Sequence, residues 1–153
     1  MSTPTGKNPA MPNGGKIFVD ADAFVSLANP DDGNHHDAVA ISQYIKSHNL
    51  ELMTSNFALG EAITVISQKT TLKKAMEFGK DVFSGSEVLV IDVDRSHQLS
   101  ALEQMSQAKS KNVRFTDFVN MVLMNEWGIA TIFSFDRHYK LAGFTLLTPQ
   151  TVL

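Results

Sequence analysis

The stretch "IFVDADAF" (residues 17–24) places three apolar residues directly before two acids, Asp20 and Asp22. The apolar run is typical of a short buried strand that ends at the first acid. A carboxylate at the end of a buried strand is costly to desolvate unless it has a partner. We therefore expect Asp20 and Asp22 at the carboxyl end of a strand, close to groups that compensate their charge.

Outward from this stretch, short apolar segments alternate with segments of helical spacing. Strands are predicted at 16–19, 50–54, 87–92, 129–133 and 144–148. The predicted helices lie at 23–27, 35–47, 55–68, 71–83, 95–109, 116–127 and 136–141. This alternation favours a three-layer α/β/α fold, in which helices cover both faces of a mostly parallel sheet of four to five short strands.

The length of 153 residues indicates one domain with a sizeable core. Residues 1–15 are rich in Pro, Gly, Ser, Thr and Asn, so we expect a disordered tail there and a single domain over 16–153. No apolar run approaches the length of a membrane span, and the N-terminus lacks the apolar region of a signal peptide. These features predict a cytoplasmic protein.

The charge balance restricts the possible partners and metal ligands. A net charge of −3, from 16 acidic and 13 basic residues, gives no basic footprint of the kind that strong nucleic-acid binders carry. It does not exclude nucleic acid, because a bound metal supplies local positive charge. The chain has no cysteine, so any metal must be held by oxygen or imidazole ligands.

Several acids are expected at one edge of the predicted sheet. In doubly wound parallel sheets the ligand site lies beyond the carboxyl ends of the strands. The polar residues expected at that edge are Asp20, Asp22, Thr54, Ser55, Glu61, Asp117, Ser134 and Asp136. Close carboxylates repel one another unless a cation neutralises them or a proton is taken up. Hard oxygen ligands without cysteine predict Mg²⁺ or Mn²⁺.

Each acid also has a simpler explanation when it is taken alone. Glu61 can stand at the margin of an apolar helix stripe and reach solvent. Asp117 lies in the first turn of its helix, where the helix dipole favours an acid. Asp22 and Asp136 can be the N-caps of the helices that follow them, and Thr116 can be the N-cap of the helix that contains Asp117.

Four motifs in order resemble those of PIN-domain ribonucleases, and VapC-type toxins of bacterial and archaeal toxin–antitoxin pairs are the closest group. The motifs are "FVDADAF", "TSNFALGEAITVI", "FTDFVNMVLMNEWG" and "IFSFDRHYKLAGFTLL", and they extend from about Lys16 to Leu147. The acidic positions of the family fall on Asp20, Glu61, Asp117 and Asp136, and its hydroxyl positions fall on Thr116 and Ser134. The chain departs from the family at Asp22, where a small polar residue such as Ser or Asn is common.

This resemblance implies an endoribonuclease that depends on Mg²⁺ or Mn²⁺. It implies that Asp20 and Asp117 are the principal metal ligands. Asp136 would be a second ligand or act through water, and Glu61 would bind the metal or orient the attacking water. Ser134 would position a carboxylate or a phosphate by a hydrogen bond. Whether one or two ions bind is left open.

The resemblance also implies partners. It describes a toxin that a cognate antitoxin neutralises, a homodimer, and an antitoxin surface on the helices near Val25 and Ile63. Three bases, Arg114, Arg137 and Lys140, lie near the acids in sequence. They either contact RNA phosphates or belong to an ordinary solvated surface.

Two other functions compete with this interpretation. One is a PIN-like domain that no longer cleaves and serves as a binding or scaffold module, although all four acids are present. The other is a phosphatase with an aspartyl nucleophile, because "DADAF" has the D-x-D spacing after a strand. That chemistry also requires a lysine and a further acid pair, which "FTDFVN" does not supply.

Overall fold

The computed structural model describes residues 15–152, and its centre is a five-stranded sheet. The strands are β1 (Lys16–Val19), β2 (Glu51–Ser55), β3 (Val88–Ile91), β4 (Thr131–Phe133) and β5 (Thr145–Leu146). All neighbouring strands are parallel and lie in the order β3-β2-β1-β4-β5. Strands β1 and β4, far apart in sequence, are therefore neighbours at the centre of the sheet. Residues 1–14 of the predicted tail lie outside the described residues.

Helices connect the strands and cover the sheet. Their bounds are α1 (Ala21–Ala28), α2 (His35–Ser47), α3 (Asn56–Lys69), α4 (Leu72–Ser84), α5 (Arg95–Ser106), α6 (Phe115–Trp127), α7 (His138–Leu141) and α8 (Pro149–Val152). The short helix α8 was not predicted; it packs against α2. Within residues 15–152, no helix is both long and apolar enough to cross a membrane.

The two faces of the sheet belong to separate apolar clusters, which confirms the three-layer prediction. In β1, Ile17 and Val19 lie in one cluster with Ile66 of α3, while Phe18 lies in the other with Leu123 of α6. This alternation follows from the two-residue period of a strand. All five side chains are at most 2% exposed. Burial of each such side chain contributes about 1.5–3 kcal/mol to the hydrophobic stabilisation that fixes the strands and their carboxyl ends.

Two helix starts differ from the prediction, and both differences involve acids. Helix α1 begins at Ala21 rather than residue 23, because the Asp20 carboxylate accepts a hydrogen bond from the Ala21 N–H (2.8 Å) and is the N-cap. Asp22 lies inside the first turn, so its prediction as an N-cap was wrong. Helix α6 begins at Phe115 with Arg114 at the cap position, so the prediction of Thr116 as its N-cap was also wrong.

Candidate metal centre at the carboxyl edge of the sheet

Asp20 and Ser134 meet at this edge because β1 and β4 are neighbours. The Asp20 N–H donates to the Phe133 carbonyl (3.1 Å), so Asp20 extends the pairing of the two strands. The Ser134 hydroxyl donates to Asp20 Oδ2 (2.8 Å), and both residues are almost fully buried. The ends of two central strands therefore fix the orientation of the Asp20 carboxylate.

Asp22 joins this group from the first turn of α1. Its Oδ2 accepts a hydrogen bond from the Phe135 N–H (3.0 Å), and the Ser134 oxygen, whose one proton goes to Asp20, lies 3.4 Å away. Its Oδ1 is buried and has no hydrogen-bond partner within residues 15–152. Of the two alternatives for Asp22, an extra negative charge beside the cluster agrees with this geometry.

Asp117 lies in the first turn of α6 and is 6% exposed. Its Oδ2 accepts from the Arg114 N–H (2.9 Å), which is one of the backbone donors that a helix start leaves free. Its Oδ1 accepts from the Tyr139 hydroxyl (3.1 Å). The helix terminus therefore explains the bond at Oδ2, but it does not account for the contact with Tyr139.

Asp136 and His138 extend the acidic group toward α7. Asp136 Oδ1 accepts from the His138 N–H (2.9 Å), so Asp136 binds the start of α7 although Arg137 occupies the cap position. Asp117, Asp136 and His138 each offer one ligand atom, and these three atoms lie within 4.8 Å of one another. His138 Nδ1 is 2.6 Å from Asp136 Oδ1 but lacks the geometry of a hydrogen bond. His138 is thus an additional candidate ligand that the sequence analysis did not select.

Glu61 is the most exposed of the four acids in the family pattern. It lies on α3, its side chain is 29% exposed, and Oε1 is 3.3 Å from Arg114 Nη1. The Arg114 side chain is largely in solvent, so this ion pair contributes little to stability. Arg114 nevertheless contacts two of the acids, because its backbone N–H binds Asp117 and its guanidinium binds Glu61.

Several predicted positions remain at the periphery of this group. Arg137 and Lys140 are exposed on and beside α7, and within residues 15–152 neither forms an ion pair with the acids. Thr116 is partly buried, and its hydroxyl makes no hydrogen bond to the acids in the described part of the chain. Thr54 is fully buried and donates to the Val19 carbonyl (2.8 Å), and Ser55 is the N-cap of α3. The hydroxyls of Thr54 and Ser55 therefore bind backbone groups near the acids.

Besides His138, sequence reasoning missed two residues that contact the acids. The Asn120 amide donates to Asp20 Oδ1 (3.2 Å) and to the Tyr139 oxygen (2.9 Å), and Tyr139 in turn donates to Asp117. One signal was available in the sequence: Asn120 interrupts the apolar run "FVNMVLM" three residues after Asp117. Tyr139 gave no such signal, because a tyrosine in a short helix is an ordinary core residue.

Burial is the main cause that raises the pKa values of four of these carboxyls, and repulsion by neighbouring acids adds to it. Burial, followed by the charge of Asp22, raises the pKa of Asp20 to about 8. Burial also raises the pKa of Asp22 to about 6, and it raises the pKa values of Asp117 and Glu61 above their usual range. A divalent cation would stabilise the ionised carboxylates, because it neutralises the charges that burial and repulsion disfavour.

The donor set fits a hard divalent cation. Asp20 after β1, Asp117 in α6 and Asp136 before α7 supply carboxylate oxygens, and Asp22 supplies a buried oxygen that lacks a partner in the described residues. Oxygen ligands of this kind are those that Mg²⁺ and Mn²⁺ prefer, and an imidazole such as that of His138 is better suited to Mn²⁺ than to Mg²⁺.

Known proteins share this fold and about a quarter of the aligned residues. The model of the PIN domain family matches residues 17–144. Two curated sequences of the 23S rRNA-specific endonuclease VapC20 of Mycobacterium tuberculosis, from the CDC 1551 / Oshkosh and H37Rv strains, are each 27% identical over 134 residues. Each alignment covers 88% of this chain and 99% of the relative.

A solved structure gives the same result. The crystal structure of Mycobacterium tuberculosis VapC20, described as a sarcin-ricin loop cleaving toxin, matches with a TM-score of 0.79 and 26% sequence identity. The match covers 87% of this chain and 99% of that one. These findings confirm the predicted fold, the predicted resemblance to VapC-type toxins and the predicted nuclease class, and they give no support to the aspartyl-phosphatase alternative. The chain belongs to the PIN domain family.

Proposed function

We propose that this protein is a metal-dependent endoribonuclease of the toxin class, and that Asp20, Asp117, Asp136, Glu61 and Ser134 form its catalytic site. The observation that carries the proposal is the convergence of buried carboxylates with raised pKa values on one sheet edge of a PIN-family chain. Such a cluster is stable at neutral pH only with protons or a cation. The VapC20 relative is named for its action on 23S rRNA, which makes ribosomal RNA the first substrate to test.

Asp20 and Asp117 would be the principal ligands of Mg²⁺ or Mn²⁺, and Asp136 would bind directly or through water. The chemistry that a cation held there would supply is polarisation of the scissile phosphate and stabilisation of the leaving oxygen. Ser134 holds the Asp20 carboxylate in one orientation through its 2.8 Å hydrogen bond. Glu61 would orient the attacking water and accept its proton, and the raised pKa of this carboxyl suits a general base.

Substitution of the proposed ligands tests this assignment. Purified protein is expected to cleave RNA with Mg²⁺ or Mn²⁺ and to stop when a chelator is added. Asp20→Asn and Asp117→Asn keep the side-chain shape but remove a ligand charge, so we expect the cleavage rate to fall by at least about 100-fold. Cleavage is measured on labelled RNA, and circular dichroism verifies that each variant folds.

Glu103→Gln is the matched control, because it removes an exposed acid from α5 and should leave the rate unchanged. Full activity of both aspartate variants would contradict the proposed mechanism. If the wild-type protein neither cleaves RNA nor binds millimolar Mg²⁺, the non-cleaving binding module becomes the better description.

The antitoxin would cover the apolar surface of α4. Val25 is buried in the core, so it is not itself available to a partner. The residues Leu72, Met76 and Phe83 are each at least half exposed, and Met76 and Phe83 line an open groove with Ile63 of α3. A helix of a partner with an apolar face fits such a groove.

Co-expression with a candidate antitoxin tests this surface. The antitoxin should suppress the growth defect that the wild-type protein causes, and Met76→Lys should weaken this suppression while RNA cleavage is retained. The expected homodimer stays a prediction, which a molar-mass measurement in solution tests.

A further inference from the structure

Two fully buried polar residues, Asn120 of α6 and Tyr139 of α7, connect the acids. The Asn120 amide nitrogen is 3.2 Å from Asp20 Oδ1 and 2.9 Å from the Tyr139 oxygen. The Tyr139 hydroxyl is 3.1 Å from Asp117 Oδ1. Asn120 and Tyr139, here called the buried bridge, thus form a continuous hydrogen-bonded path from Asp20 to Asp117.

The direction of each bond in the buried bridge is fixed by its donors. A tyrosine hydroxyl has one proton, so a hydroxyl that accepts from Asn120 donates that proton to Asp117. Both N–H groups of the Asn120 amide are also used.

Apart from these two bonds, Asn120 has a feature that is unfavourable in a core. Its Oδ1 is buried and has no hydrogen-bond partner within residues 15–152. Its neighbours on α6 include the buried Val119 and Met121. A buried amide oxygen without a partner destabilises a fold, so an apolar residue would suit this position better if packing alone mattered. The contacts of its nitrogen with Asp20 and Tyr139 therefore explain why an asparagine occupies this position.

We propose that Asn120 and Tyr139 are positioning residues, which hold the Asp20 and Asp117 carboxylates in the relative orientation that a divalent cation requires. This inference rests on the proposed function. Each carboxylate is held through both oxygens: Ser134 binds Oδ2 of Asp20, Arg114 binds Oδ2 of Asp117, and the buried bridge binds both Oδ1 atoms. Such outer-shell hydrogen bonds orient metal ligands, and their loss typically weakens metal affinity by about 10- to 100-fold.

Titration of the full-length protein with Mn²⁺ tests the buried bridge without reference to RNA cleavage. Tyr139→Phe removes only the hydroxyl, and we expect Mn²⁺ to bind about tenfold more weakly, as measured by calorimetry. Asn120→Leu removes the other half of the path and should have an effect of similar size. Because both changes break one path, the double variant should lose less than the product of the single effects.

Tyr44→Phe is the matched control, because Tyr44 is the other tyrosine of the chain and lies on α2, where its ring stacks on His48. It should bind Mn²⁺ as the wild type does. The melting temperature in chelator separates positioning from a merely structural role. If the Tyr139 hydroxyl positions the ligands, Tyr139→Phe should bind metal more weakly while its metal-free melting temperature stays near that of wild type. If the hydroxyl is only structural, the variant should have a lower melting temperature and unchanged metal affinity.

The outcomes distinguish this inference from the proposed function. If the wild type binds Mn²⁺ and both Tyr139→Phe and Asn120→Leu bind it equally well, the buried bridge has no positioning role, while the nuclease proposal stands. Should Tyr139→Phe fail to fold, unchanged affinity in Asn120→Leu alone would overturn the inference. If the wild type binds no Mn²⁺ at millimolar concentration, the proposed function and this inference are both wrong.

Discussion

At the scale of single residues, Asp20 and Asp22 have the same side chain but differ in their hydrogen bonds. Asp20 caps α1 and accepts from Ser134 and Asn120, so its carboxylate has donors on both oxygens. Asp22 accepts from the Phe135 N–H through one oxygen and leaves the other buried without a partner in the described residues. Of these two aspartates, Asp22 is therefore the one whose charge has fewer compensating donors.

The charge of Asp22 is expected to lower the stability of the metal-free protein and to raise its affinity for metal. Asp22→Asn keeps an oxygen for the Phe135 N–H but removes a charge that raises the pKa of Asp20. We expect the melting temperature in chelator at about pH 8 to rise, because repulsion is relieved, and the affinity for Mn²⁺ to fall. Asp81→Asn, at an exposed position of α4, should change neither quantity. Unchanged Mn²⁺ affinity in Asp22→Asn would assign the residue to the scaffold alone.

The acids themselves could be predicted at this scale, but their neutral neighbours could not. Asp20 and Asp136 were predictable because they follow strands whose ends share one edge, and charged residues are conspicuous there. Asp117 lies at the start of a helix, and it was selected through the resemblance to the PIN-domain motifs. Asn120 contacts Asp20 across 100 residues of sequence, and Tyr139 resembles a core aromatic. The geometry that gives both residues their contacts arises only when α6 and α7 pack beside β1.

At the scale of secondary-structure elements, periodicity predicted the helices well and capping decided their ends. Ser55 caps α3 and Asp94 caps α5, because each carries the side-chain acceptor that a helix start needs. The start of α1 was predicted too late because Asp20 serves as both cap and site residue. For α6, the Arg114 N–H donates to the Asp117 carboxylate, and the Asp117 N–H donates to the Arg114 carbonyl (3.0 Å), so the helix starts without a side-chain acceptor at the cap position.

Two glycines in helical settings should respond in opposite directions to alanine. Gly128 ends α6 in the left-handed region (φ 66°), so Gly128→Ala should lower the free energy of unfolding by about 1–2 kcal/mol. Gly60 lies within α3, and a Cβ there would meet no atom within 4 Å. Gly60→Ala should therefore raise the free energy of unfolding by about 0.8–1 kcal/mol through helix propensity.

Chemical denaturation of the two glycine variants measures both effects against the same wild type. Gly128→Asn is a useful third variant, because asparagine tolerates the left-handed region better than alanine does, and it should lose less stability. Equal destabilisation by alanine at both positions would contradict the assignment of Gly128 as a C-terminal stop.

At the scale of the whole molecule, the alternation of elements predicted a parallel three-layer fold, but the order of strands was not predictable from it. The order β3-β2-β1-β4-β5 places the end of β4 beside the end of β1, and this is why Ser134 reaches Asp20. Any order that separated β1 from β4 would keep every local pattern of the sequence and lose the site. The strand order depends on how the two apolar clusters pack, and short sequence windows carry no information about these long-range contacts.

The buried acids should make the stability of the whole protein depend on pH and metal together. In the metal-free protein the pKa of Asp20 is raised to about 8 and that of Asp22 to about 6, against 3.8 for an unperturbed aspartate. The folded chain therefore holds protons that the unfolded chain has lost. Stability from this source is fully present below about pH 4 and declines as pH rises to about 8, by up to about 1.4 kcal/mol per pH unit for each titrating group.

The melting temperature in chelator is therefore expected to fall between about pH 5.5 and 8, and Asp20→Asn should reduce this slope because it removes the titrating group. Mn²⁺ competes with protons for the same carboxylates, so it should raise the melting temperature more at pH 8 than at pH 5.5. Calorimetric melts with Mn²⁺ or chelator at both pH values measure the two effects. A slope in chelator that is identical in wild type and Asp20→Asn would show that Asp20 does not bind the extra proton, and the cluster would then need another source of charge compensation.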